Sequence, residues 1–249
     1  MSDRNHIYFA SDFHLGIPNA EKSLERERKI VRWLDMVSEN ARQVYLMGDL
    51  FDFWYEYKKV IPKGYVRLQG KVAELCDRGI DVFFFKGNHD MWMFSYFQEE
   101  LGVELISDEL EFETNGKKFF LHHGDGLGDG DYSYKFLKKI FRNRICIWLF
   151  GILPNRVALG IAHYFSSKSR LANEKRDEVF DRDSEWLLHY CNDRVEDTPY
   201  DYMIFGHRHL PLDIELNNGG RYINLGEWIH HSTYAEFDGN DLKLKTFEK

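Results

Sequence analysis

Five short polar motifs, each placed where an apolar run stops, constrain this chain more than any other feature. They are Asp12-Phe13-His14, Gly48-Asp49, Gly87-Asn88-His89-Asp90, His122-His123-Gly124-Asp125 and Gly206-His207-Arg208-His209. The apolar runs that precede them are typical of buried strands. Because open α/β sheets place their sites at the carboxyl ends of their strands, we expect the five motifs to meet at one site.

The residue types in these motifs predict a metal centre. Asp, Asn and His side chains suit Mn²⁺, Fe²⁺, Zn²⁺ or Mg²⁺ and do not form a thiolate site. In an extended chain, residues two apart point the same way, so Asp12 and His14 can converge on one point, as can His207 and His209. A lone motif of this kind is more often a turn or a structural histidine. Five in series favour a site with too many ligands for one ion, and enough for two that share a carboxylate.

Short β-rich runs alternate with helix-like stretches, which favours an α/β layered fold. Helices are expected at 21–40 and 64–78, and a hairpin that turns at Asn115-Gly116 is expected over 110–122. The segment 131–197 is predicted to be mainly helical. The simplest architecture is one core domain, 1–130 and 198–249, that carries a helical cap insertion at 131–197. Further strands are expected at 7–11, 44–47, 82–86, 201–205, 212–216, 221–225, 232–237 and 241–247.

Composition excludes several classes of protein. The 249 residues carry a formal net charge of −8, so no overall field attracts nucleic acid. Three cysteines without cluster spacing indicate a reducing compartment and exclude a disulfide framework. The sequence shows no signal-peptide pattern and no apolar run long enough to span a bilayer. We therefore expect a cytoplasmic protein, with no obligate protein partner inferred.

The order D-x-H, GD, GNHD, HGD, GHxH resembles that of the calcineurin-like metallophosphoesterases. The resemblance covers about 1–130 and 200–237, and it implies a β-sandwich flanked by helices with two divalent ions, most often Mn²⁺. It also implies a ligand set, in which His123 is preferred over His122 because the family's histidine directly precedes the glycine. One ion would be held by Asp12, His14 and His209, the other by Asn88, His123 and His207, with Asp49 as the bridge.

Two ions in such a site activate water for attack on phosphorus and neutralise the phosphate oxygens. His89 adjoins the ligand Asn88, where it could give a proton to the leaving group or a hydrogen bond to the phosphoryl oxygen. Asp90 is expected to orient the His89 ring. We therefore name His89 and Asp90 as the candidate catalytic residues.

The insertion resembles one branch of this family, the UDP-2,3-diacylglucosamine pyrophosphohydrolases of lipid A synthesis. The resemblance rests on GDLFDFW, on Asp131 and Tyr134 after HGD, on Ser167-Lys168-Ser169 and on Leu225-Gly226-Glu227-Trp228. It implies hydrolysis of the diphosphate to UMP and 2,3-diacylglucosamine 1-phosphate. By the same resemblance, the substrate contacts are Asp131, Tyr134, Ser167 and Lys168.

Two positions depart from that branch, which has Arg where this chain has His89 and Thr where it has Arg208. The alternative is therefore a calcineurin-like phosphodiesterase or phosphatase that acts on another lipid- or nucleotide-linked phosphoester. A scaffold without catalytic activity would have lost metal ligands, and all seven positions are kept.

The charge of the insertion differs from that of the rest of the chain. Residues 131–176 contain ten basic and two acidic residues, and 136–153 (FLKKIFRNRICIWLFGIL) interleave cations with large apolar side chains. Such a segment suits a membrane surface or an acyl-chain groove. A core helix with a solvated basic face is the plain alternative, and nucleic-acid binding fits the strongly aliphatic run less well. We expect peripheral association with the cytoplasmic face of the inner membrane.

Overall fold

Two β-sheets packed face to face form the middle layers of the protein, in a computed structural model that describes residues 4–129, 132–154, 156–158, 160–161, 164, 166 and 180–248. The strands are β1 (His6–Ala10), β2 (Ala41–Leu46), β3 (Asp81–Phe85), β4 (Glu104–Ile106), β5 (Leu110–Thr114), β6 (Lys117–His122), β7 (Tyr202–Phe205), β8 (Pro211–Glu215), β9 (Arg221–Leu225), β10 (Thr233–Phe237) and β11 (Leu242–Thr246). The helices are α1 (Ala20–Val37), α2 (Val66–Asp77), α3 (Tyr96–Leu101), α4 (Tyr132–Arg142), α5 (Arg144–Gly151) and α6 (Trp186–Asp197).

The first sheet has the strand order β11-β10-β1-β2-β3-β4, and the second has the order β5-β6-β7-β9-β8. Strands β1 to β4 run parallel to one another, as do β6, β7 and β9. In the first sheet, the β10-β11 hairpin forms an antiparallel edge and β4 forms a parallel one, while both edges of the second sheet are antiparallel. Because β1, β2 and β3 are parallel, the loops that follow them all leave the first sheet at the carboxyl ends of the strands, where their polar residues can meet.

Three apolar clusters hold the layers together. One lies between the sheets and includes Phe9 and Tyr45 from the first sheet with Phe119 and Ile204 from the second. The other two lie outside the sheets, beneath α1, α2 and α3 on the first sheet and beneath α6 on the second. The order of layers is thus helix, sheet, sheet, helix, which confirms the predicted α/β sandwich flanked by helices.

Helix α1 illustrates how the sequence sets a boundary and a buried face. The Asn19 side chain accepts a hydrogen bond from the Lys22 amide at 2.9 Å, which caps the first turn. Ile30, Leu34 and Val37 recur at helical spacing and are fully buried against the first sheet.

The predicted strands and the first two helices are present, with ends that differ by a few residues. Helix α3 and strand β4 were not predicted, because their six and three residues carry too few apolar positions for a period to show. Helix α6 falls inside the expected insertion, yet Leu187, Leu188 and Cys191 are buried in the cluster on the second sheet. The division into core and cap remains a prediction. Among the helices of the described residues, none is long and apolar enough to cross a membrane.

Candidate metal centre

The first group of converging side chains follows β1, β2 and β7. The Nε2 atoms of His14 and His209 lie 3.1 Å apart, and Asp12 Oδ1 lies 3.3 Å from the His209 nitrogen and 3.7 Å from the His14 nitrogen. Asp49 Oδ2 approaches His14 Nε2 to 4.0 Å. Two nitrogens that bind the same ion, each at about 2.1 Å, lie roughly as far apart as the His14 and His209 nitrogens do here. The four side chains could therefore hold one ion.

A second group lies on the other side of Asp49. Asn88 Oδ1 is 2.8 Å from His207 Nδ1 and 3.2 Å from His123 Nε2, and Asp49 Oδ2 is 3.5 Å from the same His123 nitrogen. The other nitrogen of His123, Nδ1, lies 2.8 Å from the Met47 carbonyl oxygen, which can only accept a hydrogen bond. This contact places the hydrogen on Nδ1 and directs Nε2 towards the site. Asp49 is the carboxylate that the two groups share.

Two buried oxygens indicate that these groups are built for cations. Within the described part of the chain, Asp12 Oδ1 and Asp49 Oδ2 receive no hydrogen bond, although both carboxylates are at most 1% exposed. A buried carboxylate oxygen without a donor is costly unless a cation compensates it. The donor set of carboxylate, amide oxygen and imidazole fits divalent ions of the Mn²⁺, Fe²⁺ and Zn²⁺ type.

The backbone of the site is strained at the candidate ligands. Extended backbone was expected for Asp12-Phe13-His14 and His207-Arg208-His209, and this expectation is wrong. β1 ends at Ala10 and β7 at Phe205, and the side chains converge because the loops turn through the left-handed region. Such a conformation costs a non-glycine residue of order 1–3 kcal/mol and is concentrated at functional sites. The φ angles are 56° for Asp12, 43° for His14, 52° for Asp49, 66° for His207 and 57° for His209.

Glycines of the motifs allow the loops to approach the ligands closely. A Cβ atom on Gly206 would lie 2.5 Å from Asp12 Oδ2, and one on Gly87 would overlap the Asp49 carboxylate. The glycine before His207 and the one before Asn88 are therefore required by packing against a ligand from another strand.

Two further buried side chains hold the ligand loops in place. Arg26 of α1 donates to the carbonyl oxygens of Phe13, His14 and Ile17 at 2.6–2.7 Å, which fixes the loop after β1. Asp90 accepts hydrogen bonds from four backbone amides, those of Asp49, Leu50, Phe51 and Gly87, at 2.8–3.3 Å. Asp90 thus joins the loop after β2 to the loop after β3.

The expected contact between Asp90 and the His89 ring is not present in the structure, because the Asp90 oxygens face these amides. The carboxylate beside the ring is Asp52, whose Oδ1 lies 3.8 Å from His89 Nδ1 and whose carbonyl oxygen lies 3.1 Å from it. On its other side, His89 Nε2 is 4.0 Å from Asp49 Oδ2. His89 therefore lies at the metal centre, between the shared carboxylate and Asp52.

Electrostatics differ between the two neighbouring histidines of the second group. Burial opposes a positive charge on His123, but the Asp49 carboxylate outweighs it and raises the pKa of His123 to about 10. Burial and the charge on His123 together lower the pKa of His207 to about 4. The pKa of Asp49 is held below its ordinary range, since His123 and His89 outweigh the effect of burial. The site thus keeps its shared carboxylate ionised.

His122 lies outside both groups. Its Nδ1 accepts a hydrogen bond from the Gly124 amide at 2.8 Å, and burial lowers the pKa of His122 to about 4. Its neighbour His123 faces Asp49 and Asn88, as the alternation of a strand requires.

A largely apolar cavity opens beside the metal centre. It encloses about 740 Å³, counting space open to solvent, and Asn88 and His89 form its wall on the side of the metal centre. Its other lining residues are Asp52, Phe53, Met91, Trp92, Tyr134, Leu137, Phe141, Phe150, Ile161 and Ser166.

Of the four expected substrate contacts, the described structure places one. Tyr134 lines this cavity, and its hydroxyl donates to Asp125 Oδ2 at 2.7 Å. Burial and the Asp125 carboxylate raise the pKa of Tyr134 well above its ordinary value. Asp131, Ser167 and Lys168 lie outside the described residues.

Three buried residues beside the metal centre were not predicted from the sequence. Arg26 gave no signal, because a lone arginine in an amphipathic helix is ordinarily solvated. Asp52 and Asp125 do carry a signal, since each sits in or beside a motif, as the second acid of Gly48-Asp49-Leu50-Phe51-Asp52 and the last residue of the histidine motif. Both are buried at the site.

Comparison with known proteins decides the family. The model of the calcineurin-like phosphoesterase family matches residues 6–211. The chain belongs to this family. As a member, it is a metal-dependent phosphoester hydrolase, and the expected fold and family are confirmed.

Curated relatives and a solved structure extend the comparison. The UDP-2,3-diacylglucosamine hydrolase of Porphyromonas gingivalis is 38% identical to this chain, over 98% of this chain and 98% of that one. The enzyme of that name from Neisseria meningitidis serogroup C is 30% identical, over 97% of this chain and 98% of that one. The structure of Yfce, a phosphoesterase from E. coli, is 16% identical at a TM-score of 0.46, over 98% of this chain and 94% of that one.

Proposed function

We propose that this phosphoesterase hydrolyses the diphosphate bond of UDP-2,3-diacylglucosamine, giving UMP and 2,3-diacylglucosamine 1-phosphate for lipid A synthesis. The observation that carries the proposal is the apolar cavity whose wall includes Asn88 and His89, beside the metal centre. A substrate with acyl chains and a diphosphate needs an apolar space in contact with a phosphate-cleaving site. The shared name of the curated relatives supports the same substrate.

The proposed ligands are divided between two divalent ions, for which we propose Mn²⁺, with Fe²⁺, Zn²⁺ and Mg²⁺ as the alternatives. Asp12, His14 and His209 would hold one, Asn88, His123 and His207 the other, and Asp49 both. When bound, two such ions supply an activated water and neutralise charge on the phosphate oxygens.

The protein's own part in the reaction is to position the reacting groups and to exclude water from the acyl side of the substrate. His89 is proposed to hold a proton at Nε2 for the leaving group or to donate a hydrogen bond to a phosphoryl oxygen. Asp90 is proposed to contribute by holding the loops of Asp49 and Gly87 in register. The aromatic walls of the cavity, among them Trp92 and Phe150, keep water from the acyl side of the substrate.

The polar part of the substrate is proposed to meet the start of the insertion. Tyr134 already lines the cavity, and Asp131, Ser167 and Lys168 follow from the resemblance of the motifs. Because the Tyr134 hydroxyl is bound to Asp125, its ring is the part proposed to face the substrate.

The insertion is also proposed to rest on the cytoplasmic surface of the inner membrane. Helix α4 places Lys135, Lys138, Lys139 and Arg142 around one groove. Large apolar side chains beside anionic lipid headgroups stabilise an interfacial helix, and nearby cations strengthen the contact. Five such side chains on α4, on α5 and just after it are between 48% and 68% exposed, namely Phe136, Ile145, Trp148, Leu149 and Ile152.

The test is to incubate the protein with UDP-2,3-diacylglucosamine and Mn²⁺ and to follow hydrolysis by phosphorus NMR. Hydrolysis of bis-p-nitrophenyl phosphate is measured in parallel. Rapid release of UMP with little action on the small diester is the expected result. Turnover of the small diester together with inertness towards the lipid would discard this substrate and keep the phosphoesterase. That outcome would favour another lipid- or nucleotide-linked phosphoester, and His89, where the branch has Arg, is then the first position to vary.

A further inference from the structure

Ser166 connects the insertion to the metal centre. Its Oγ lies 2.9 Å from Asp52 Oδ1 and 3.3 Å from His89 Nδ1, partners that are 114 and 77 residues away along the chain. Ser166 is 7% exposed, and the side chains of His89 and Asp52 are 6% and 4% exposed. The contact is therefore a buried polar junction between two distant parts of the chain.

The donors and acceptors at this junction determine how the His89 ring is held. The Asp52 carbonyl oxygen, 3.1 Å from Nδ1, can only accept, so Nδ1 donates a hydrogen bond in this contact. The Ser166 hydroxyl donates its one hydrogen to the Asp52 carboxylate and keeps lone pairs that accept from the same Nδ1. The hydrogen bonds hold the His89 ring at Nδ1, and Nε2 faces Asp49.

We propose that Ser166 is a positioning residue, through which the insertion orients His89 for the chemical step. The proposal rests on the proposed function, in which His89 acts on the phosphoryl group. Ser166, Asp52 and His89 all line the apolar cavity, so the junction lies between the space assigned to acyl chains and the reacting centre.

Kinetics of Ser166→Ala and Ser166→Thr test this role, with bis-p-nitrophenyl phosphate as well as the lipid as substrates. Loss of one hydrogen bond at the reacting step should lower kcat of the alanine variant about 3- to 10-fold and leave KM within about twofold. The threonine variant keeps the hydroxyl and should retain most of the rate. Ser184→Ala, at an exposed serine that caps a turn, is the matched control and should be unchanged. A loss confined to KM would overturn the proposal.

A second measurement separates positioning from a general effect on structure. If Ser166 acts through His89, then adding Ser166→Ala to His89→Ala should slow the enzyme no further, whereas additive losses would refute the proposal. Histidine ¹⁵N NMR of the protein with diamagnetic Zn²⁺ bound should show a hydrogen-bonded Nδ1 for His89 and a changed Nδ1 signal in Ser166→Ala. An unchanged His89 signal would likewise refute it.

Failure of the substrate assignment remains distinguishable from failure of this inference. If the lipid is not cleaved but the small diester is, the proposed substrate is wrong while the diester kinetics still decide the role of Ser166. If both substrates are cleaved and the two variants behave alike, the substrate stands and the role of Ser166 is discarded.

Discussion

At the scale of single residues, Asp49 is the position on which the centre depends. It lies within 4.0 Å of His14, His89 and His123, and its Oδ2 receives no hydrogen bond from the described residues. We predict that Asp49→Ala abolishes metal occupancy and turnover together. Residues outside the ligand shell are worth 10- to 100-fold in metal affinity, so loss of the shared ligand should exceed about 100-fold.

Bound metal measured by mass spectrometry, alongside diester hydrolysis, checks this prediction. Asp193→Ala removes an exposed aspartate on α6 and should change neither. An Asp49→Ala protein that kept both ions and its turnover would contradict the assignment of the shared carboxylate.

The adjacent pair His122 and His123 offers a matched comparison at the same scale. We predict that His123→Ala loses one ion, because its Nε2 faces Asp49 and Asn88. His122→Ala should keep both ions and lose about 1–3 kcal/mol of unfolding free energy, since the Gly124 amide would lose its acceptor. Metal content and urea unfolding of the two variants decide the matter. The reverse pattern would exchange the two assignments.

Among the elements, the start of α6 is tied to the loop that carries two ligands. Arg208, between His207 and His209, donates to Glu185 Oε2 at 3.1 Å, and the side chains are 5% and 1% exposed. Glu185 precedes the first residue of α6 and also accepts from Tyr222 of β9. The loop that carries His207 and His209 is thus held in place by the buried ion pair of Arg208 and Glu185.

We predict that Glu185→Gln lowers the unfolding free energy by about 1.5–3 kcal/mol, because it removes the carboxylate charge from a hydrogen bond between two buried side chains. Urea unfolding measures the change. Glu25→Gln breaks an ion pair with Lys22 whose side chains are 55% and 60% exposed, and it should leave the unfolding free energy nearly unchanged. Equal effects of the two substitutions would mean that the buried pair has no special weight.

The elements also show how far sequence alone reaches. Strands β1, β2, β3 and β7 were predictable because apolar runs end abruptly in polar motifs, and their parallel order then brings the motifs to one place. The positive φ angles of Asp12 and His207 were not predictable, since they follow from loops packed against other strands. Contacts such as Arg26 with the Phe13 carbonyl and Ser166 with Asp52 depend on long-range placement, which no local pattern encodes.

For the molecule as a whole, charge and apolar surface are concentrated on the insertion. The chain is acidic overall, yet 131–176 is strongly basic, and α5 presents Ile145 at 68% exposure and Trp148 at 63%. Apolar surface of this extent is unfavourable in water unless something covers it. A bilayer with anionic headgroups fits both the apolar and the basic side chains, and its acyl region adjoins the lipid-bearing substrate.

We predict that Ile145→Asp weakens binding to vesicles that contain phosphatidylglycerol by roughly tenfold, the value of burying one large aliphatic side chain. Co-sedimentation measures the bound fraction. Val60→Asp places the same charge at another exposed aliphatic residue, 58% exposed and outside the insertion, and should leave binding unchanged. Because the basic side chains contribute through screened charge, binding should also weaken as salt rises. Equal losses of vesicle binding for the two variants would indicate that the insertion is not the membrane-facing surface. Unchanged hydrolysis of the small diester in both variants would show that the metal centre is intact.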